Sequence, residues 1–210
     1  MMQDTLAILT AHPVVANLRG VTPDEVLGVA EVLLHAGFRV IEVPLNSPSA
    51  LQSIAALART LDADVVLGAG TVLTVDQVHA CAQAGARLIL APNLNAAVVR
   101  QTVAFGLVSM PGVATPSEGF CALEAGADAL KLFPADVLGC TTLKAWRAVF
   151  PRATPFFCVG GMGADNMLEF RRAGATGVGL GSSLYGPGIA LDELTVRAKA
   201  MLKAWKSAAD

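Results

Sequence analysis

AlaGlyAlaAspAlaLeuLysLeuPhePro, residues 125–134, is the stretch from which the fold can be read. Its AlaGly pair ends a helix-like pattern, because a glycine just past a helix C-terminus adopts the left-handed cap cheaply. The apolar run behind it has the length of a buried strand. The same punctuation recurs in AlaGlyPheArg (36–39), AlaGlyAlaArg (84–87) and AlaGlyAlaThr (173–176), each leading into an apolar run. The glycines at 37, 85, 126 and 174 lie 48, 41 and 48 residues apart, room for two strand–helix units per interval. A further strand candidate sits in each interval: AspValValLeuGlyAla (64–69), LeuValSerMetPro (107–111) and ProPhePheCysVal (155–159). With ValValAlaAsnLeuArg (14–19) as the first, eight strands alternate with helices. That alternation predicts an α/β fold, one (β/α)8 TIM barrel over residues 1–210. An open doubly wound sheet is the alternative, and it would be expected to carry a G-x-G-x-x-G after the first strand, which is missing.

Smaller elements fit around this frame. Thr5–Ala11 reads as a short N-terminal helix, and ThrProAspGlu (22–25) as a helix start with Thr22 as N-cap, Pro23 at the first helical position and Glu25 completing a capping box. A C-terminal helix over about Leu191–Lys206 alternates charged and apolar positions and is expected to pack on the barrel.

Lys131 lies inside the apolar run of the opening stretch, where a lysine is almost never found without a partner or a purpose. The other four lysines, at 144, 199, 203 and 206, lie on polar, helix-like segments. Counting five residues on from each repeat glycine gives Glu42, Leu90, Lys131 and Gly179, in the second, fourth, sixth and eighth strands. Residues at one height on alternate strands form one layer of a barrel interior, so Glu42 and Lys131 should face each other with Gly179 leaving space. A register-fixing ion pair is the structural alternative, but desolvation makes such pairs poor stabilisers.

Composition narrows the function. A hydrophobic fraction of 54% supplies a sizeable core, and a formal charge of −2 offers no basic field for nucleic acid. The apolar runs are too short for a membrane span and MetMetGlnAspThr lacks a cationic signal-peptide start, so we expect a cytoplasmic protein. Cys81, Cys121, Cys140 and Cys158 form no C-x-x-C pair, and His12, His35 and His79 cluster with neither them nor one another. No metal site is legible.

The remaining polar features fall at the strand C-termini, where this fold collects its active sites. They include Arg19, Glu42 with ProLeuAsnSerPro (44–48), GlyAlaGlyThr (68–71), ProGlyValAlaThrProSerGlu (111–118), GlyGlyMetGly (160–163) and GlySerSer (181–183). Backbone N–H groups in the last two turns, with the serine hydroxyls, are suited to cradle a phosphate. A buried amine, a carboxylate and a phosphate cradle describe imine chemistry on a phosphorylated keto compound. To act near neutral pH the lysine must fall well below its usual ~10.4. An isomerase or synthase, or a non-catalytic phosphometabolite sensor, are rival uses of the same barrel.

GluValProLeuAsnSerPro, GlyAlaGlyThrValLeuThr, ProGlyValAlaThrProSerGlu, LysLeuPhePro and ValGlyGlyMet, in this order and spacing, resemble the 2-keto-3-deoxy-6-phosphogluconate aldolase family over nearly the whole chain. The resemblance implies a class I aldolase, usually a homotrimer, that needs no cofactor because the imine on Lys131 serves as electron sink. It implies Glu42 as acid/base, Arg19 and Thr71 near the substrate carboxylate, and Gly160, Gly161, Gly181 and Ser182 around the phosphate. Gluconate enzymes of the family typically carry Thr before the GlyGly pair and Arg after the Glu-x-x-Leu. Here Val159 and Asn46 stand instead, which moves the expected preference to the galactonate epimer; the gluconate epimer, or both, is the alternative.

Overall fold

The four repeat glycines take the left-handed conformation the helix ends require, with φ of 111° at Gly37, 99° at Gly85, 98° at Gly126 and 105° at Gly174. From each the chain turns inward to a strand. In the computed structural model, which describes residues 2–207, the order is α1 (Met2–Ala11), β1 (Val14–Asn17), α2 (Val26–Ala36), β2 (Val40–Pro44), α3 (Ala50–Thr60), β3 (Val66–Gly70), α4 (Val75–Ala84), β4 (Leu88–Leu90) and α5 (Ala96–Ala104). It continues through β5 (Val108–Met110), β6 (Gly112–Val113), α6 (Pro116–Glu124), β7 (Leu130–Leu132), α7 (Ala135–Arg147), β8 (Phe156–Val159), α8 (Met167–Arg172), β9 (Gly177–Leu180) and α9 (Leu191–Lys206).

Every strand pair is parallel, in the order β5-β4-β3-β2-β1-β9-β8-β7-β6. β5 and β6 are one stave interrupted at Pro111, which has no N–H to give to a ladder. The gap is bridged: Lys131 N donates to Pro111 O at 2.9 Å, and Ser109 N donates to Asp128 Oδ2 at 2.8 Å. Nine strand segments therefore make the eight staves of a TIM barrel, as the repeat predicted.

Alternate strand residues point inward, and Val15, Val40, Val66, Leu88, Leu90, Val108, Met110 and Phe157 pack as one cluster with Ala129, just before β7, and Leu9 of α1. The second, larger core lies between the sheet and the helices. α9 packs on α2 and α8, burying Leu194, Ala198, Met201 and Trp205, as its sequence pattern suggested. No helix among the described residues is long and apolar enough to cross a membrane.

The start of α2 differs from the expected capping box. Only half of the box forms: Thr22 N donates to Glu25 Oε1 at 2.9 Å, and the regular helix begins at Val26. The same Glu25 oxygen accepts from the Tyr185 hydroxyl at 2.9 Å, a partner 160 residues away that no local pattern announces.

Candidate active site

Strand register sets the geometry of the site. On β1, Val15 and Asn17 alternate inward; on β2, Val40 and Glu42 do so, and Asn17 lies directly opposite Glu42. Lys131 pairs across β7–β8 with Phe157, an interior residue, so its side chain enters the same space. Glu42 and Lys131 are 2% and 4% exposed. Room for the carboxylate comes from Gly70, where a Cβ would lie 3.2 Å from Glu42 Oε1. Gly179 likewise leaves the space a Cβ would take 2.8 Å from Val159 Cγ2.

The two charges act on each other, yet burial dominates both. Burial pushes the Glu42 carboxyl above its usual range, opposed by the attraction of Lys131, the Asn17 hydrogen bond and the Arg19 charge. Burial pushes the Lys131 ammonium down; Glu42 opposes this and Arg19 adds to it. Each group is thus driven toward its neutral form. Nζ of Lys131 donates no hydrogen bond among the described residues and lies 5.2 Å from the centroid of the Phe133 ring. A neutral amine without a donor's obligations has a free lone pair, which is what nucleophilic attack on a carbonyl needs.

Above these two groups opens a cavity of about 650 Å³ at the C-terminal face of the barrel. Of the residues singled out in the sequence, Arg19, Val159, Gly160, Gly161, Gly181 and Ser182 line it. Glu42 and Lys131 do not line it but lie buried in the barrel interior, and Phe133 stands in its wall. Thr71 and Asn46 are outside the lining. Thr71 follows Gly70 with φ of 56°, a strained value for a β-branched residue, and Asn46 is an exposed turn residue after β2.

The two glycine turns are held from below so that their amides stay free. Gly163 N donates to Asn166 Oδ1 at 3.0 Å, Asn166 Nδ2 donates to Gly161 O at 2.8 Å, and the Ser183 hydroxyl donates to Met162 O at 2.6 Å. The N–H groups of Gly161, Ser182 and Ser183 donate to nothing among the described residues. Gly161 has φ of 63° and no space for a side chain, since a Cβ would lie 2.5 Å from Asp136. Gly161, Ser182 and Ser183 all line the one cavity, and unpaired amides gathered in this way are suited to cradle an anion.

Two residues of the site escaped the sequence reading. Asn17 donates from Nδ2 to Glu42 Oε1 in a buried contact. Ser47 accepts from Gly20 N at 2.9 Å and so ties the loop carrying Arg19 to the loop after β2. Asn17 had a signal, because it shares the period-2 face of Val15 and Arg19; Ser47 stood only as a member of the ProLeuAsnSerPro loop. No group of three or more His, Cys, Asp or Glu side chains among the described residues is placed to hold a metal ion. Cys81 and Cys158 are buried with thiols pushed up to about 12 by burial, which leaves them unreactive.

A sequence model of the KDPG and KHG aldolases matches residues 6–206. The chain belongs to that aldolase family. It is 43% identical over 199 residues to the 2-dehydro-3-deoxy-6-phosphogalactonate aldolase of Escherichia coli K12, covering 95% of this chain and 97% of that one. A solved structure described as native KDPGal superposes with a TM-score of 0.92 at 43% identity, covering 93% of this chain and 95% of the other. The KDPG aldolase of Legionella pneumophila, with pyruvate captured at low pH as a covalent carbinolamine intermediate, superposes with a TM-score of 0.84 at 30% identity over 94% of this chain and 97% of that one. Aldolases of this family are carbon–carbon lyases working through a covalent Schiff base, and they share this barrel.

Proposed function

We propose that this KDPG/KHG aldolase cleaves 2-dehydro-3-deoxy-6-phosphogalactonate reversibly to pyruvate and glyceraldehyde 3-phosphate, with the imine formed on Lys131. The observation that carries the proposal is the buried, uncharged-leaning amine sharing the barrel interior with one acid, beneath a cavity bearing unpaired amides. The Lys131 amine adds to the C2 ketone, and the carbinolamine hydroxyl leaves as water with a proton from Glu42, which gives an iminium. Glu42 takes the C4 hydroxyl proton as the C3–C4 bond breaks, and the bonding pair moves into the iminium to give an enamine. The aldehyde carries the phosphate away. Glu42 then returns the proton to C3, and water hydrolyses the imine to pyruvate.

The phosphate is assigned to Gly160, Gly161, Gly181 and Ser182, and the substrate carboxylate to Arg19 with Thr71. Val159 lines the cavity and offers methyl groups where a hydroxyl would recognise C4 of the gluconate epimer. The identity to the Escherichia coli galactonate enzyme supports the same epimer. A homotrimer in the cytoplasm is proposed with it; Phe120, exposed and stacked on Phe150, is an apolar patch suited to a subunit contact, and sedimentation tests the assembly.

The test is pyruvate release from both 6-phosphorylated epimers at matched concentrations. A clear preference for the galactonate form is expected, together with a borohydride-trapped pyruvate adduct on Lys131 that Lys131→Ala abolishes. Silence on both substrates without an adduct overturns the proposal.

A further inference from the structure

Glu42 gives and takes protons in each turnover, and a carboxylate has two oxygens with which to do it. They are not equivalent here. Oε1 accepts the Asn17 amide, while Oε2 is buried and has no hydrogen-bond partner among the described residues. Asn17 is 4% exposed and sits opposite Glu42 in the β1–β2 register. It lines the cavity above Glu42, and its own Oδ1 is also an unpartnered buried acceptor. From the β3 side the carboxylate is bounded by Gly70, at which a Cβ would come within 3.2 Å of Oε1 and 3.4 Å of Oε2. The carboxylate is therefore pinned on one oxygen by a donor and left open on the other.

We propose that Asn17 is a positioning residue that reserves Glu42 Oε2 for proton transfer. The physical reason is the direction of its hydrogen bond. Nδ2 is a donor, so a proton placed on Oε1 would turn its acceptor into a hydroxyl oxygen, which accepts more weakly than a carbonyl oxygen, and is disfavoured. A proton placed on Oε2 leaves Oε1 as a carbonyl-like acceptor, and the Asn17 contact survives unchanged. The pair thus needs no reorganisation as Glu42 passes between acid and base, which is the condition for efficient proton transfer. An aspartate at 17 would repel the carboxylate, and an apolar residue would leave both oxygens equivalent and unpartnered.

This inference rests on the proposed imine chemistry, and its experiment separates the two. The charged groups acting on Glu42 are Lys131 from β7 and Arg19 from the loop after β1; neither is itself changed in variants at position 17. Asn17→Leu and the nearly isosteric Asn17→Asp are each assayed for kcat and KM across pH, beside borohydride trapping of pyruvate. Loss of a donor that favours the carboxylate raises the acid limb of the kcat profile, where Glu42 becomes a base, and Asn17→Asp raises it further by like charge. We expect kcat to fall about 10- to 100-fold with KM little changed and the Lys131 adduct retained. If either folded variant keeps the wild-type acid limb and kcat, the positioning role is wrong while the aldolase stands. If the wild type itself forms no adduct and turns over neither epimer, both proposals fall.

Discussion

Glu42 and Lys131 set function against stability at the level of single side chains. The Glu42 carboxyl is pushed up by burial, so the folded state holds its proton more tightly than the unfolded chain does. The stability this contributes is fully present below the unfolded carboxyl value of about 4.3 and is lost as pH rises through the folded value. Glu42→Gln cannot ionise and escapes that loss. We expect its thermal midpoint to exceed the wild type's at pH 8, with the gap closing toward pH 4, while kcat falls by about 10² to 10⁴. A melting series across pH with parallel pyruvate assays checks both parts. Val159→Thr is the complementary change: it adds a hydroxyl to the cavity wall at little cost in volume. One hydrogen bond of about 1 kcal/mol should move the epimer ratio of kcat/KM about fivefold toward the gluconate form.

At the scale of elements, what could be read was what is locally determined. Gly37, Gly85, Gly126 and Gly174 cap helices by a conformation that depends on the residue itself, so counting them counted the staves. The five-residue offset to Glu42 and Lys131 was legible because strand alternation is equally local. The start of α2 was not, since Glu25 answers to Tyr185, and Ser47 binds a loop that only the closed barrel brings near. ThrProSerGlu (115–118), read as part of the polar active-site rim, forms a full capping box: Thr115 N and Ala114 N each donate to Glu118 Oε2 at 2.8 Å, and Glu118 N donates to Thr115 Oγ1. Thr115→Ala should cost about 1 kcal/mol in urea unfolding. Gly112, only a few residues earlier, is far less tolerant. A Cβ there would lie 2.3 Å from the Pro92 carbonyl, and backbone cannot step aside as a side chain does. Gly112→Ala should cost about 3 kcal/mol, at the upper end for overpacking. Equal losses in the two variants would mean that the β4–β6 approach is looser than its geometry.

For the whole molecule the question is whether the barrel unfolds as one body, which the expected single domain over residues 1–210 requires. The interior cluster draws Val15, Val40, Val66, Leu88, Leu90, Val108 and Met110 from the first five strands, Ala129 from the residue just before β7 and Phe157 from β8. Parting the two groups would expose that cluster and open the β1–β9 seam. α9 adds a second tie, because it packs on α2 early in the chain and on α8 late in it. Two tryptophans report on the two regions. Trp146 packs against Phe150 and Phe156 in the second half, whereas Trp205 lies on α9 with the Arg171 guanidinium 4.9 Å from its ring centroid. Trp205→Phe leaves fluorescence to Trp146, and Trp146→Phe leaves it to Trp205. In each variant the urea transition seen by fluorescence should coincide with that seen by far-ultraviolet circular dichroism, the mark of two-state unfolding. A fluorescence midpoint that separates from the dichroism midpoint within one variant would show that the halves part independently. In that case the β1–β9 seam and α9 would join two folding units, and the alignment of Glu42 on β2 with Lys131 on β7 would depend on their docking.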